Sequence, residues 1–421
     1  MEKIENIAVK LGSNRYLKSL RDGIVLSMPL VIIGSLFLII ASFPIQSWLD
    51  FLEKTDAAKW FTKITNGSFG IIGLVSSFGI ARSLTNSYDE DGVASGILSL
   101  SAYLIMTPLF ADETTGYSLD YLGSRGLFAA IVISMISAKI YHFFVSRNIV
   151  IKMPDGVPPA VSESFSSLIP GAVILSLAGL SYFLFDLFGL ENIHDFLSIV
   201  LGKPLGILGG SIFGTVIATL LNSLFWIIGI HPGATVNAVM NPIWLVASDA
   251  NRLAYEAGKE LPNIVTQSFM DNFVWMGGGG STIGLVICML LFSKSKQSKT
   301  LTPLAGTPGI FNINEPLTFG FPIVFNFKMA IPFILSPAVI AIISYLAMDL
   351  GFVHKTVGAI IPWTMPPIIS GYLATGGRIS GAILQIICII VSVFIYYPFF
   401  KMADNESIKQ EKELENGKEI N

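Results

Sequence analysis

One carboxylate stands out for the chemistry it could do. From Thr300 to Phe327 the sole charged side chain is Glu315, set in the run Asn312-Ile313-Asn314-Glu315-Pro316. The residues around it are apolar enough for a bilayer interior, where an ionisable group is costly and functional by default. A solvated loop acid, or a neutral acid hydrogen-bonded inside the protein, would also fit the run. The flanking asparagines and the prolines favour function, because such an acid can orient a ligand hydroxyl or take its proton. His231 is the one ionisable group between Pro204 and Ser248. In His231-Pro232-Gly233 it either hydrogen-bonds backbone freed by the proline or lines a cavity. Discontinuous helices at mid-membrane are where transporters hold substrate, which favours the cavity. Trp226 and Trp363 each adjoin a break of this kind. Tryptophans more often serve interfacial belts or packing, but in a sugar site the flat ring face stacks on a pyranose. Asn312, Asn314, Glu315 and His231 would then supply donors and acceptors to hydroxyls. No arginine lies within the broken segments. Arg378 is the nearest candidate for a phosphate, or simply an end-of-span residue. The run Gly277 to Gly280 with Ser281 reads as a hinge, a close backbone approach or a ligand contact.

Composition says what must position these residues. The chain has 421 residues, 52% hydrophobic and 13% charged, against about 25% charged in soluble domains. Most of it therefore needs a solvent other than water. The net charge of -3 gives no reason to expect nucleic acid. Cys288 and Cys388 lie in apolar runs, which argues against a disulfide framework and a zinc site. There is no phosphate-binding lysine loop for ATP, no metal-spaced cluster and no cleavable signal peptide.

Apolar runs of about 20 residues mark candidate spans. They fit Gly23–Leu49, with Pro29 and Pro44 as a kink and an end, and then residues 64–81, 92–111, 126–145 and 164–185. Asp50–Lys63 reads as an outer segment, as does the acidic loop with Asp112, Glu113 and Asp120. The uncharged run Pro204–Ser248 divides at His231, one span ending near Ile230 and the next element covering residues 234–246. Asp249–Asp271 reads as polar and external, and an eighth element covers Asn272–Phe292. Lys3, Lys10, Arg15, Lys18 and Arg21, then Lys294, Lys296 and Lys299, place the N-terminus and a later loop in the cytoplasm by the positive-inside rule. Six prolines between Pro303 and Pro337 cannot all sit inside regular helix. Thr300–Phe327 therefore reads as a re-entrant hairpin from the cytoplasmic side, and Val357–Gly377 as a second. Residues 329–348 and 379–400 complete the spans. The expected architecture is an all-α integral membrane protein of about ten transmembrane helices plus two re-entrant hairpins. The polar, proline-rich linker 147–163 suggests a boundary, dividing the chain into 1–160, 161–400 and a tail, 401–421.

The stretches Arg21–Ser35, the HPG at His231, Gly277–Gly284, Thr307–Asn326 and Ile361–Gly377 together resemble a known family. It is the membrane-spanning IIC component of bacterial sugar phosphotransferase systems, of the lactose/cellobiose/diacetylchitobiose type. The resemblance implies a homodimeric permease in the cytoplasmic membrane with both termini inside. Residues 1–160 would form the dimerisation scaffold and 161–400 the sugar-binding domain. The essential acid would be Glu315, with His231, Trp226 and Trp363 beside the sugar and Asn312, Gly279, Ser281 and Thr282 lining it. A β-linked disaccharide such as cellobiose, diacetylchitobiose or lactose would be phosphorylated, commonly on its 6-hydroxyl, by a phosphocysteine on a separate IIB protein charged through IIA. No cofactor or metal is implied. The rival reading is an ion-coupled secondary sugar transporter with Glu315 as the ion site.

Overall fold

The computed structural model describes Lys10 and residues 13–418, apart from residues 44, 112–114, 155, 230, 322 and 325. The expectations attached to Lys3, Pro44, Asp112, Glu113 and Ile230 lie outside the described residues. The first span is broken into α1 (Arg15–Val25) and α2 (Met28–Ala41). Asn14 caps α1, its side-chain oxygen accepting from the N–H groups of Tyr16 and Leu17, the usual service of an asparagine at that position. Pro29 falls in the first turn of α2, where its missing N–H costs nothing. The span therefore begins before the expected Gly23 and ends at Ala41 rather than Leu49.

The mixed-charge segment Asp50–Lys63 is helical too, in α3 (Gln46–Thr55) and α4 (Ala57–Phe69). Both helices are amphipathic: they bury Leu52 and Phe61 and turn their charges outward. Next come α5 (Ile72–Asn86), α6 (Gly92–Met106), α7 (Leu127–Ser146) and α8 (Leu168–Leu187). One small departure from an all-helical chain is a hairpin in which Leu109–Ala111 pairs antiparallel with Thr115–Tyr117.

The second half is made of interrupted helices. The run Ile193–Gly210, ending in α9 (Lys203–Gly210), meets α10 (Ile212–Ile227) at 80°. After the HPG turn, α11 runs from Val236 to Glu256. The bent segment Gln267–Ser281 meets α12 (Ile283–Phe292) at 59°. Then follow α13 (Lys296–Ile310), α14 (Glu315–Gly320), α15 (Phe327–Asp349), α16 (Ile369–Ala374) and α17 (Ile379–Lys418).

Among the described residues, six helices are long and apolar enough to cross a membrane, or up to eight if each bent pair is one span. The all-α membrane class is as expected, but the count of ten is not reached by length and composition. α6 has only 15 residues, and α11 carries Asp249, Arg252 and Glu256. Asp249–Asp271 was expected to be polar and external. α11 continues through Glu256 and buries Arg252 between Asp249, 2.6 Å away, and Glu256, 2.9 Å away. Ser124 donates to the other Asp249 oxygen. Charges are buried here because each is paired, a condition that composition does not reveal.

As expected, the prolines between Pro303 and Pro337 are not all inside regular helix. Pro303 and Pro308 lie inside α13 and Pro332 and Pro337 inside α15, while Pro316 opens α14. Packed membrane helices tolerate proline where neighbouring groups re-satisfy the freed backbone. Residues 300–320 thus form a helix, a four-residue turn and a short returning helix.

Large apolar side chains such as Phe213 (79% exposed) and Phe394 (74%) face outward. Such a surface would aggregate in water and suits lipid. Inside, one cluster joins Leu20, Ile24 and Val31 of the first span to Leu245 and Ile360 of the second half. Ser35 Oγ accepts the Ile360 N–H at 2.7 Å, so the two halves share a core.

Candidate functional site

The breaks converge. A cavity of about 450 Å³ takes its walls from α1, α2, α10, the HPG turn, α11, the glycine run and the tips of both hairpins. Trp226, His231, Gly279, Asn312, Glu315 and Trp363 all line it.

Glu315 is placed by helix termination. α13 ends with the N–H of Ile313 bonded to Pro308 O (3.0 Å) and that of Asn312 to Gly309 O (3.1 Å). This is a Schellman closure, which needs a left-handed residue at the position after the cap. Asn312 fills it with φ 62°, a conformation asparagine tolerates better than most side chains. The chain then reverses, and Glu315 becomes the first residue of α14. Among the described residues its carboxylate has no hydrogen bond or ion pair, and it stands exposed on the cavity.

Asn312 does a second task. Its Oδ1 accepts the Gly277 N–H at 2.6 Å, and its Nδ2 donates to Trp363 O (2.6 Å) and Met365 O (3.1 Å). One amide thus ties the glycine run, the first hairpin and the second hairpin together. Asn314 acts alike, donating to Gly279 O at 2.7 Å and Thr282 Oγ1 at 3.3 Å. Both amides were expected to meet hydroxyls of a ligand; both line the cavity, and their Nδ2 groups donate to protein.

The glycines are explained by close approach. Gly278 has φ 88°, and a Cβ on it would stand 2.6 Å from Asn314 Cγ; one on Gly279 would stand 2.4 Å from Trp226 Nε1. Ser281 and Thr282 are fully buried and their hydroxyls donate to Val274 O and Gly277 O. Neither lines the cavity; they hold the bend that presents Gly278 and Gly279.

His231 caps its own turn. Its Nδ1 accepts the Gly233 N–H at 3.1 Å, so the neutral ring carries its proton on Nε2, free to donate. The ring stands edge-on to Trp226, with centroids 4.7 Å apart. Trp226 is 5% exposed and wedged, whereas Trp363 is 51% exposed and offers a face.

Several lining residues escaped sequence reading. Asp271, Gln267 and Asn241 line the same cavity, and Gln267 Nε2 donates to both Asp271 oxygens at 3.0 Å. Gln267 and Asp271 fall in the polar stretch that reads as external, and Asn241 is a single amide within an apolar element. Arg21 reaches the cavity from α1, whereas Arg378, the expected phosphate candidate, is exposed elsewhere. A pocket of this size, with an aromatic face, an acid and a ring N–H that have no partner among the described residues, can hold a small hydroxyl-rich molecule.

Known proteins resemble this chain over nearly its full length. The family model described as phosphotransferase system, EIIC matches residues 21–337. The lichenan permease IIC component of Bacillus subtilis (strain 168) is 47% identical, covering 98% of this chain and 95% of that protein. The cellobiose-specific EIIC component of Geobacillus stearothermophilus is 44% identical over 98% and 95%. The crystal structure of the transporter ChbC, the IIC component from the N,N'-diacetylchitobiose-specific phosphotransferase system, superposes with a TM-score of 0.92 at 42% identity. That match covers 97% of this chain and 98% of the other.

Proposed function

Since the chain belongs to the EIIC family of the phosphotransferase system, it is a multi-pass membrane sugar permease, and we propose that the cavity around Glu315 holds its β-linked disaccharide. The observation that carries this is the Glu315 carboxylate, unpaired among the described residues, on a cavity of about 450 Å³, within the roughly 300–1,000 Å³ of small-molecule sites. Relatives named for lichenan, cellobiose and oligo-beta-mannosides support a β-linked glycan. Trp363 offers the apolar stacking face, His231 Nε2–H donates to a hydroxyl, and Glu315 accepts from one. Asn312, Asn314, Ser281 and Thr282 hold these groups in place, and Gly278 and Gly279 keep the wall thin.

Phosphorylation is the step that commits the sugar. The 6-hydroxyl oxygen attacks the phosphorus of a phosphocysteine on a IIB protein; the O–P bond forms, the P–S bond breaks and the thiolate leaves. The hydroxyl proton passes to Glu315. Two lactose-specific relatives are named EIICB components, in keeping with a IIB partner. Both cysteines of the chain are buried and poorly placed to carry the phosphate. The reading extends to a homodimer assembled through residues 1–160, to IIA as the source of phosphate for IIB, and to cytoplasmic termini, supported by the basic residues of α1 and of Lys294–Lys299.

The test is Glu315→Gln in proteoliposomes with phosphorylated IIB and labelled cellobiose. Phosphorylation is expected to fall about 10²–10⁴-fold, the usual range for a positioned acid or base. Wild-type binding together with wild-type phosphorylation in the variant would remove Glu315 from the centre of the site.

A further inference from the structure

The cavity takes charged side chains from three places: Glu315 at a hairpin tip, Asp271 in the bent segment, and Arg21 from α1. A neutral sugar needs hydrogen-bond donors but no positive charge. Arg21 is nonetheless held at the wall, its Cδ 3.7 Å from where a Cβ on Gly233 would stand, beside the His231 turn. It is anchored from below: Nε donates to Asp22 Oδ1 at 2.7 Å, and Nη2 lies 2.6 Å from the same oxygen. Both nitrogens converge on one carboxylate oxygen, which leaves the Nη1 N–H groups without a partner among the described residues. An exposed pair between sequence neighbours contributes little to stability, so an incoming anion can compete for the guanidinium. α1 is itself fixed in position, because Leu20 and Ile24 belong to the cluster that contains Leu245 and Ile360.

We propose that Arg21 is the phosphate-binding residue of this site, gripping the phosphoryl group as it passes from donor to sugar and the sugar phosphate that results. The proposal rests on the reading of the cavity as the sugar site. In the transfer the sugar oxygen bonds to phosphorus, the P–S bond of phosphocysteine breaks, the thiolate retains the electron pair and Glu315 receives the proton. Negative charge gathers on the phosphoryl oxygens between the Glu315 carboxylate and Arg21. A planar guanidinium meets two of those oxygens at once, which a lysine ammonium does not. Arg21 therefore lowers the barrier to transfer while leaving affinity for unmodified sugar nearly untouched.

The experiment uses full-length protein in proteoliposomes, with Arg21→Gln and Arg21→Lys beside wild type. Binding of labelled cellobiose is measured without IIB, and transfer with phosphorylated IIB. Arg21→Gln is expected to bind cellobiose within about threefold of wild type and to lose transfer about 10²–10³-fold, as when one preorganised oxyanion donor is removed. Arg21→Lys is expected to recover part of that loss. Cellobiose 6-phosphate should displace labelled cellobiose from wild type and only weakly from Arg21→Gln. Wild-type transfer in Arg21→Gln, or an equal loss of cellobiose binding in both variants, would overturn the role of Arg21. Wild type that binds no β-linked disaccharide would instead overturn the reading of the cavity itself.

Discussion

At the scale of single residues, the side chains divide between those that hold the site and those that face the ligand. Asn312 looked like a ligand group in sequence because an amide beside a lone acid suits hydroxyl binding. Its three hydrogen bonds to Gly277, Trp363 and Met365 make it a tie between three breaks. Replacing it by alanine strands one N–H and two carbonyls in a partly buried place, each costing on the order of 1–3 kcal/mol. It also puts a less tolerant residue at φ 62°. Asn312→Ala should therefore lower the melting temperature in detergent and weaken cellobiose binding together. A variant with wild-type melting and weakened binding would make Asn312 a direct ligand contact instead.

At the scale of elements, the first hairpin depends on a distant helix. α17 does not stop at Phe400 but continues through Pro398 to Lys418. Its Asp404 accepts the N–H groups of Lys294 (2.9 Å) and Ser295 (3.2 Å) and the Ser295 hydroxyl (2.7 Å). Glu411 accepts the Gln297 N–H at 2.9 Å, and Lys328 pairs with Glu406. The Asp404 and Glu411 carboxylates satisfy N–H groups at and just before the start of α13 that no intrahelical partner reaches. The helix that carries the Glu315 turn is thus latched at its base. Asp404→Ala should cost about 0.5–2 kcal/mol, the scale of a lost cap, and should speed amide exchange over residues 294–300. Unchanged exchange there would show that the latch does not hold the hairpin.

At the scale of the whole molecule, a shared core joins the first span to the second half through Leu245, Ile360 and the Ser35 bond. The cavity lies on that seam, with Arg21, Ile24 and Met28 on one wall and Glu315 and Trp363 on others. If transfer from IIB in this cavity is what commits the sugar, the cargo released on the inside is its phosphate. Right-side-out vesicles supplied with phosphorylated IIB should accumulate cellobiose phosphate, and an uncoupler should leave that uptake intact. Accumulation of unmodified cellobiose without IIB, abolished by the uncoupler, would mark an ion-coupled transporter.

Sequence by itself determined the membrane class, because a charge deficit over 421 residues leaves no other solvent for the chain. It also singled out Glu315, His231, Trp226 and Trp363, since an isolated ionisable group or an aromatic beside a helix break is visible without coordinates. Only the tertiary structure decided which polar groups face the cavity and which support it. Ser281 and Thr282 are within a few residues of Gly279, yet a bend turns their hydroxyls onto the backbone. Arg252 and Asp249 read as solvated polar residues, and their pairing buries them. Arg21 lies far from Glu315 along the chain, and only packing of α1 against the His231 turn brings it to the site. Pairing and packing are properties of residues distant in sequence, and local composition carries no record of them.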